Sequence, residues 1–367
     1  LNMDFLHEGY PKLNLKTSLP KINILRKKQI KNVNLINKLH KLLLSPNIVS
    51  KEFIATQYDH EVQGTSIIKP LQGKGRVFGN STAIKPLFDN EKTIALSQAA
   101  FPQYAETNPY QMAACSIDTA FKNLIVSGAN LKKIAILDNF CWCSSDDPKR
   151  LYQLKEAARG CYDYSVAYQT PFISGKDSMF NDFKGYNKKG RPVKISIPPT
   201  LLISSIGIVD KISYLTKITP EVGDLIFIIG KTKNQLQNSE YEKIFGFKKT
   251  NLPNVEAKES IKLYKNFEKA NKLKLFNSAL GVDLGGVGIT LIKMAIASNN
   301  GLEIDFSSLA KSTIEQFLFS ETQSRIVVSI KKNNVTNFKK LFGDSNTFKI
   351  GTCNDSNLIT FRNKNKI

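Results

Sequence analysis

The sequence predicts an α/β protein built as two domains, and three observations carry that prediction. At 367 residues the chain is long enough for two cores. Ile134 to Asp182 reads as strand, acidic turn, long helix, second strand and glycine turn, the pattern of a crossover between parallel strands. At Thr216 to Gly223 the hydrophobic pattern resets, which sets a boundary between residues 65–212 and 213–367.

The elements follow in order. Residues 1–64 are Lys/Asn-rich and carry one helical pattern, Val33, Leu35, Ile36, Leu39, Leu42 and Leu43, closed by Pro46. Ser66 to Pro70 and Thr93 to Ser97 are short strand candidates. Asn108-Pro109 starts a helix that runs through Val126, with Ile117, Phe121, Leu124 and Ile125 at helical spacing and Gly128 as its left-handed cap. Lys133 to Leu137 is an apolar strand ending in Asp138-Asn139. Asp146-Asp147-Pro148 opens the crossover helix, and Thr170-Pro171 stops it. Pro171 to Ser174 is the second strand, Phe183 to Arg191 a polar loop and Thr200 to Val209 a buried strand. The second half reads as strands at Leu225–Ile229, 276–282, 304–306, 325–330 and 348–353, with helices over 255–274 and 289–297. Gly281, Gly285, Gly286 and Gly288 do not form GxGxxG, so the expectation is close helix–strand packing.

Composition narrows the class. The net charge is +21, but the excess is spread through Lys and Asn pairs without a basic block interleaved with aromatics, so no nucleic-acid partner is expected. No apolar run approaches a membrane span, and no secretory leader is visible. Five scattered cysteines point to a reducing, cytoplasmic setting rather than a disulfide frame. Cys141-x-Cys143 lacks the second pair or His that a zinc site requires. Tyr58-Asp59-His60-Glu61 could carry acid–base chemistry, but reads as a solvated connector.

Chemistry concentrates at the strand ends of the crossover. Asp138 and the Gly175-Lys176-Asp177-Ser178 turn should leave the sheet on one side, where open α/β sheets place ligands. The turn offers an anion and its metal a close backbone approach, an ammonium, a carboxylate and a hydroxyl. It is not a Walker loop, and a lone G-K-D-S is also an ordinary polar turn.

LDNFCW followed by ISGKDSMFND resembles the second half of phosphoribosylformylglycinamidine synthase, of the aminoimidazole-ribonucleotide (AIR) synthetase superfamily. FLHEG at 5–9, QYDHEVQG at 57–64, NPYQMA at 108–113, KNLIVSGAN at 122–130, PPTLLISSIGIVDKI at 198–212, VGDLIFIIG at 222–230 and FSETQSR at 319–325 match in the same order. The resemblance implies an AIR-synthetase-like architecture: an N-terminal mixed-sheet domain and a C-terminal α/β domain, preceded by the tail of another half-module at 1–64.

The resemblance further implies a ligase that converts formylglycinamide ribonucleotide, ATP and glutamine-derived ammonia to the amidine, with Mg²⁺ on the phosphates. The partners would be the missing first half, on the same or a separate chain, and a glutaminase. Asp138, Gly175 and Lys176 match nucleotide-contacting positions, and Ser178 a substrate contact. Lys176 stands where many short members carry a metal-binding Asn; it would touch phosphate, leaving Asp177, with Asn123, as metal ligands. Two positions depart from the pattern. Asn80 stands for the usual Asp and Thr119 for the usual Glu of an auxiliary Mg²⁺-nucleotide site, and the glycine stretch is altered to Asp283-Leu-Gly-Gly-Val-Gly. The catalytic His and most ATP contacts belong to the absent first half. Two alternatives stay open: a non-catalytic assembly module, and another ATP-using member of the superfamily.

Overall fold

The computed structural model describes residues 2–9, 13–21, 30, 33–57, 61, 63–246, 250–307 and 313–362. Tyr58, Asp59 and His60 of the candidate connector lie outside them. Among the described residues, three helices precede the first strand: α1 (Met3–Glu8), α2 (Leu35–Leu43) and α3 (Glu52–Ala55). The first domain carries β1 (Ser66–Ile68), β2 (Leu71–Gln72), β3 (Val77–Phe78), β4 (Thr82–Ile84), β5 (Thr93–Ala100), α4 (Pro109–Ser127), β6 (Ile134–Cys141), α5 (Pro148–Tyr168), β7 (Phe172–Ser178), β8 (Asp182–Tyr186), β9 (Pro192–Ser196) and β10 (Thr200–Val209). The second carries β11 (Leu225–Ile229), α6 (Glu240–Phe245), α7 (Ala257–Lys272), β12 (Ser278–Gly281), α8 (Gly286–Ser298), β13 (Gly301–Asp305), α9 (Ile314–Phe319), β14 (Ile326–Ile330), α10 (Val335–Phe342), β15 (Thr347–Asn354) and β16 (Ile359–Arg362).

Each domain holds one six-stranded mixed sheet, ordered β1-β4-β5-β10-β6-β7 and β12-β14-β11-β15-β13-β16. In the first, β6 and β7 are the parallel pair joined by α5, as the crossover pattern requires. Along β10 and β5 burial alternates residue by residue. Leu201, Ile203 and Val209 face α4, whereas Leu202, Ile206, Ile94 and Leu96 face away from the helices, with Leu96 45% exposed. Among the described residues the helices therefore cover one face of this sheet, and no layer covers the other, where Ile94, Leu202 and Ile206 are half-buried and Leu96 is exposed. In the second domain β11 and β14 are buried along their whole length, because helices lie on both faces.

Helix α4 joins the two domains. Seventeen of its 19 residues are buried, from Pro109 to Ser127, including the polar Asp118, Thr119, Lys122 and Asn123, so it is covered on every side rather than lying at the surface. One core runs unbroken from Ala95 and Ile203 through Phe121 and Leu124 to Phe267, Ala279 and Val328 of the second domain. A buried carboxylate pins the seam: Asp118 accepts from Tyr168 Oη (2.5 Å), Tyr264 Oη (2.6 Å) and Ser324 Oγ (3.0 Å).

Two expectations need correction. The Gly175–Ser178 stretch is not a turn but the second half of β7. Strand β6 runs on past Asp138 and pairs with it in parallel register from Asp138↔Gly175 to Cys141↔Ser178. Being an edge strand open to solvent, β7 has no hydrophobic alternation to betray it; the turn comes later, with Phe180 at φ 58°. Phe183 to Arg191 is a loop only in part: 183–186 belong to β8, and 187–191 are the turn of the β8–β9 hairpin. It displays Lys184, Lys188, Lys189, Arg191 and Lys194 beside exposed Phe183 and Tyr186, a denser basic-aromatic cluster than the sequence reading allows. The described part of 33–50 packs against the second domain. Leu39 and Leu42 enter the second domain's core, and Ser45 Oγ and Asn47 Nδ2 donate to Glu240.

Candidate functional site

The candidate residues gather on two neighbouring strands and one helix. Asp138 stands near the end of β6 beside Gly175 of β7. A Cβ at Gly175 would lie 2.7 Å from Asp138 Oδ1, so glycine is what lets this carboxylate lie over the neighbouring backbone. Burial, helped by the Asp177 carboxylate, holds Asp138 above the usual carboxylate range; hydrogen bonding at its own backbone opposes the shift.

Strand geometry then divides the group. Asp138, Gly175 and Asp177 occupy alternate positions on the helix-covered side, since Asp138 and Asp177 pair with Gly175 and Phe140. Lys176 and Ser178, opposite Asn139 and Cys141, point to the bare side. The carboxylates and the ammonium are thus not convergent, as a turn would have made them. A ligand reaches both sets only around β7, the last strand in its sheet.

Asn123 is elsewhere. It lies on α4, buried, against Gly281 of β12, whereas Asp177 is exposed on the sheet edge. The structure therefore does not bring Asp177 and Asn123 together as ligands of one Mg²⁺. The helix period points Asn123 into the seam between domains, and β7 lies outside that seam. Among the described residues no three His, Cys, Asp or Glu side chains cluster at ligating distance.

The seam is also where Asn80 and Thr119 lie. Asn80 Nδ2 donates to Ala279 O (3.0 Å) and its Oδ1 accepts from Gly281 N (2.7 Å). Thr119 Oγ1 donates to Gln323 Oε1 (2.7 Å). Both replacements commit their polar atoms to the opposite domain.

Sequence reasoning missed a cavity of ≈ 420 Å³ in the second domain. Lys231 and Lys233 after β11, Glu256 at the start of α7, Ser260 within it, and Ser324 line it. Ser324 belongs to the FSETQSR stretch, where Glu321 is fully buried and pushed up to about 8 by that burial, while amides of Gly285 and Glu240 donate to it. Arg325, also buried, donates to Thr322 O, Thr232 Oγ1 and Ser320 O, and burial pulls it down to about 9. A Glu and an Arg four apart in a short polar run were the available signal; their role here is to tie loops together.

Comparison with known proteins is consistent along the chain. Residues 79–209 match the family model "AIR synthase related protein, N-terminal domain", and 221–362 the corresponding C-terminal domain. The phosphoribosylformylglycinamidine synthase subunit PurL of Thermococcus sibiricus is 32% identical over 92% of this chain and 45% of its own length. That of Methanocaldococcus jannaschii is 31% identical over 81% and 39%. The chain spans less than half the length of these relatives. Among solved structures, Thermotoga maritima PurL complexed with FGAR superposes with a TM-score of 0.61, at 16% identity, over 80% of this chain and 47% of that one. A chain of the HypE–HypF complex gives 0.62 at 16% identity, over 86% and 96%.

Proposed function

Because the chain belongs to the AIR synthase related family, in the branch of the phosphoribosylformylglycinamidine synthase PurL subunits, we propose that it is the second half of such a synthase. In this reading it works in purine biosynthesis, in the cytoplasm, on formylglycinamide ribonucleotide with ATP, Mg²⁺ and ammonia from a glutaminase partner. The other half supplies the catalytic His and most nucleotide contacts. This half contributes the end of β6–β7: Asp138 and Gly175 toward nucleotide, Lys176 toward phosphate, Asp177 toward metal and Ser178 toward the ribonucleotide.

The single observation that supports this reading is the bare apolar face of the first sheet, bordered by β7. Among the described residues no layer covers exposed Leu96 or half-buried Leu202 and Ile206, the condition of a domain that completes itself against another. Lys176 and Ser178 point to that same side.

The test is reconstitution. The chain alone should make no amidine from formylglycinamide ribonucleotide, ATP and ammonia, and turnover should appear when the first half of a PurL relative is co-expressed. Leu96→Glu combined with Leu202→Glu should abolish both complex and turnover. Turnover by the chain alone, above a heat-killed control, would refute the reading. The assembly-module alternative keeps one supporting observation, the neutral Asn80 and Thr119; it predicts a complex whose activity is indifferent to changes at 138 and 175–178.

A further inference from the structure

We propose that the seam between the two domains is a closed joint that takes neither a nucleotide nor a divalent cation, its charge being supplied by two lysines of the chain itself. The inference rests on family membership and geometry, not on the activity proposed above. The family's auxiliary site implies carboxylates around a hydrated Mg²⁺ and a nucleotide. The residues present do not fit either.

On the Asn80 and Asn123 side of the seam space decides the nucleotide; the ≈ 420 Å³ cavity behind Gln323 and Ser324 is lined by the second domain alone. The cavity bounded by Asn80, Asn123, Gly281, Asp283 and Lys293 measures ≈ 30 Å³. That is room for about one or two waters, against roughly 300 Å³ or more for an ordinary small-molecule site. It cannot widen by a side-chain shift alone. Asn80 bonds to both Ala279 O and Gly281 N of β12. At Gly281 even a Cβ would lie 2.7 Å from Asn123 Oδ1 and 2.9 Å from Lys122 Cε. Opening the cleft means parting α4 from β12, through the continuous core that holds both domains.

Charge decides the cation. Lys122, fully buried, donates its ammonium to Val282 O at 2.6 Å and makes no ion pair among the described residues. Lys293 lines the same cavity from α8. Burial lowers both lysines, and the Asp283 carboxylate opposes that shift in each. Asp283 is the one carboxylate at the cavity among the described residues, and its Oδ1 already accepts from Leu284 N at 2.8 Å. A hard dication would meet two ammonium groups and one anionic oxygen donor, the reverse of what it needs.

The test uses the chain as it stands. Thermal melts with MgATP, with MgADP and with EDTA should share one midpoint, whereas saturating ligand at a tight site would raise it by several degrees. Electron paramagnetic resonance of added Mn²⁺ should show the free-ion spectrum. Nucleotide-dependent or Mn²⁺ binding that disappears in both Asp283→Asn and Asn123→Ala, each shown folded by circular dichroism, would overturn the proposal. Binding that survives both substitutions lies outside the seam and leaves it closed. None of these readouts depends on turnover, so a failed reconstitution and an open seam are told apart.

Discussion

At the scale of single residues, Glu321 makes the sharpest statement about conditions. Its carboxyl is raised from 4.5 to about 8 by burial. The native state therefore holds a proton that the unfolded chain releases above its ordinary value. Stability from this group is fully present below about pH 4.5, falls as pH rises through the window to about 8, and is gone above it. The total is on the order of a few kcal/mol, since each tenfold change in proton affinity is worth about 1.4 kcal/mol. Glu321→Gln keeps acceptors for the Gly285 and Glu240 amides and removes the titration. Urea unfolding at pH 5 and pH 8 should show the parent losing more stability than the variant; parallel losses would refute the assignment. FSETQSR is quotable from sequence, but the burial of its Glu and Arg is not: Glu321 is held by amides of Glu240 and Gly285 and by the Tyr104 hydroxyl, and Arg325 by carbonyls of its own stretch and by Thr232.

Among the secondary-structure elements, β7 carries the next expectation. Asp177 is exposed on an edge strand and makes no ion pair among the described residues, so Asp177→Asn should shift stability within about 0.5 kcal/mol. In the reconstituted enzyme the same change should slow nucleotide-dependent turnover tenfold or more, about 1.4 kcal/mol. Ser178→Ala should instead raise the requirement for the ribonucleotide. A destabilised but fully active Asp177→Asn would sink the site assignment. The crossover itself was legible, because Asp147-Pro148, the helical spacing and the Thr170-Pro171 stop are local signals. The extension of β7 was not. Its pairing is held by β6 hydrogen bonds, which leave no mark in a polar edge sequence. Hence Asp138 and Gly175 do lie side by side, but Lys176 and Ser178 fall on the other face, and Asn123 in a different part of the molecule.

On the scale of the whole molecule, charge and architecture make separate claims. The +21 charge with a basic β8–β9 hairpin should give only nonspecific attraction to duplex DNA, no tighter than about 10⁻⁴ to 10⁻⁶ M near physiological salt. A nanomolar, sequence-specific complex in a fluorescence anisotropy titration would refute this. The two-domain division was visible in the pattern reset before β11, since each half has its own strand–helix rhythm. That α4 is common property of both cores was less visible. A helix with few exposed positions reads simply as buried, without saying by what.

That shared helix has a consequence in time. During synthesis α4 leaves the ribosome at Ser127, yet the strand against which its far side packs ends at Gly281, 154 positions later. At about 5–20 residues per second, its second face stays wet for roughly 8–30 s, and the first domain's sheet is complete only for the last part of that interval, once Val209 ends β10. For that last part the nascent chain presents two unsatisfied surfaces, the bare side of the sheet and the back of α4. Only the second is closed by the chain's own continuation.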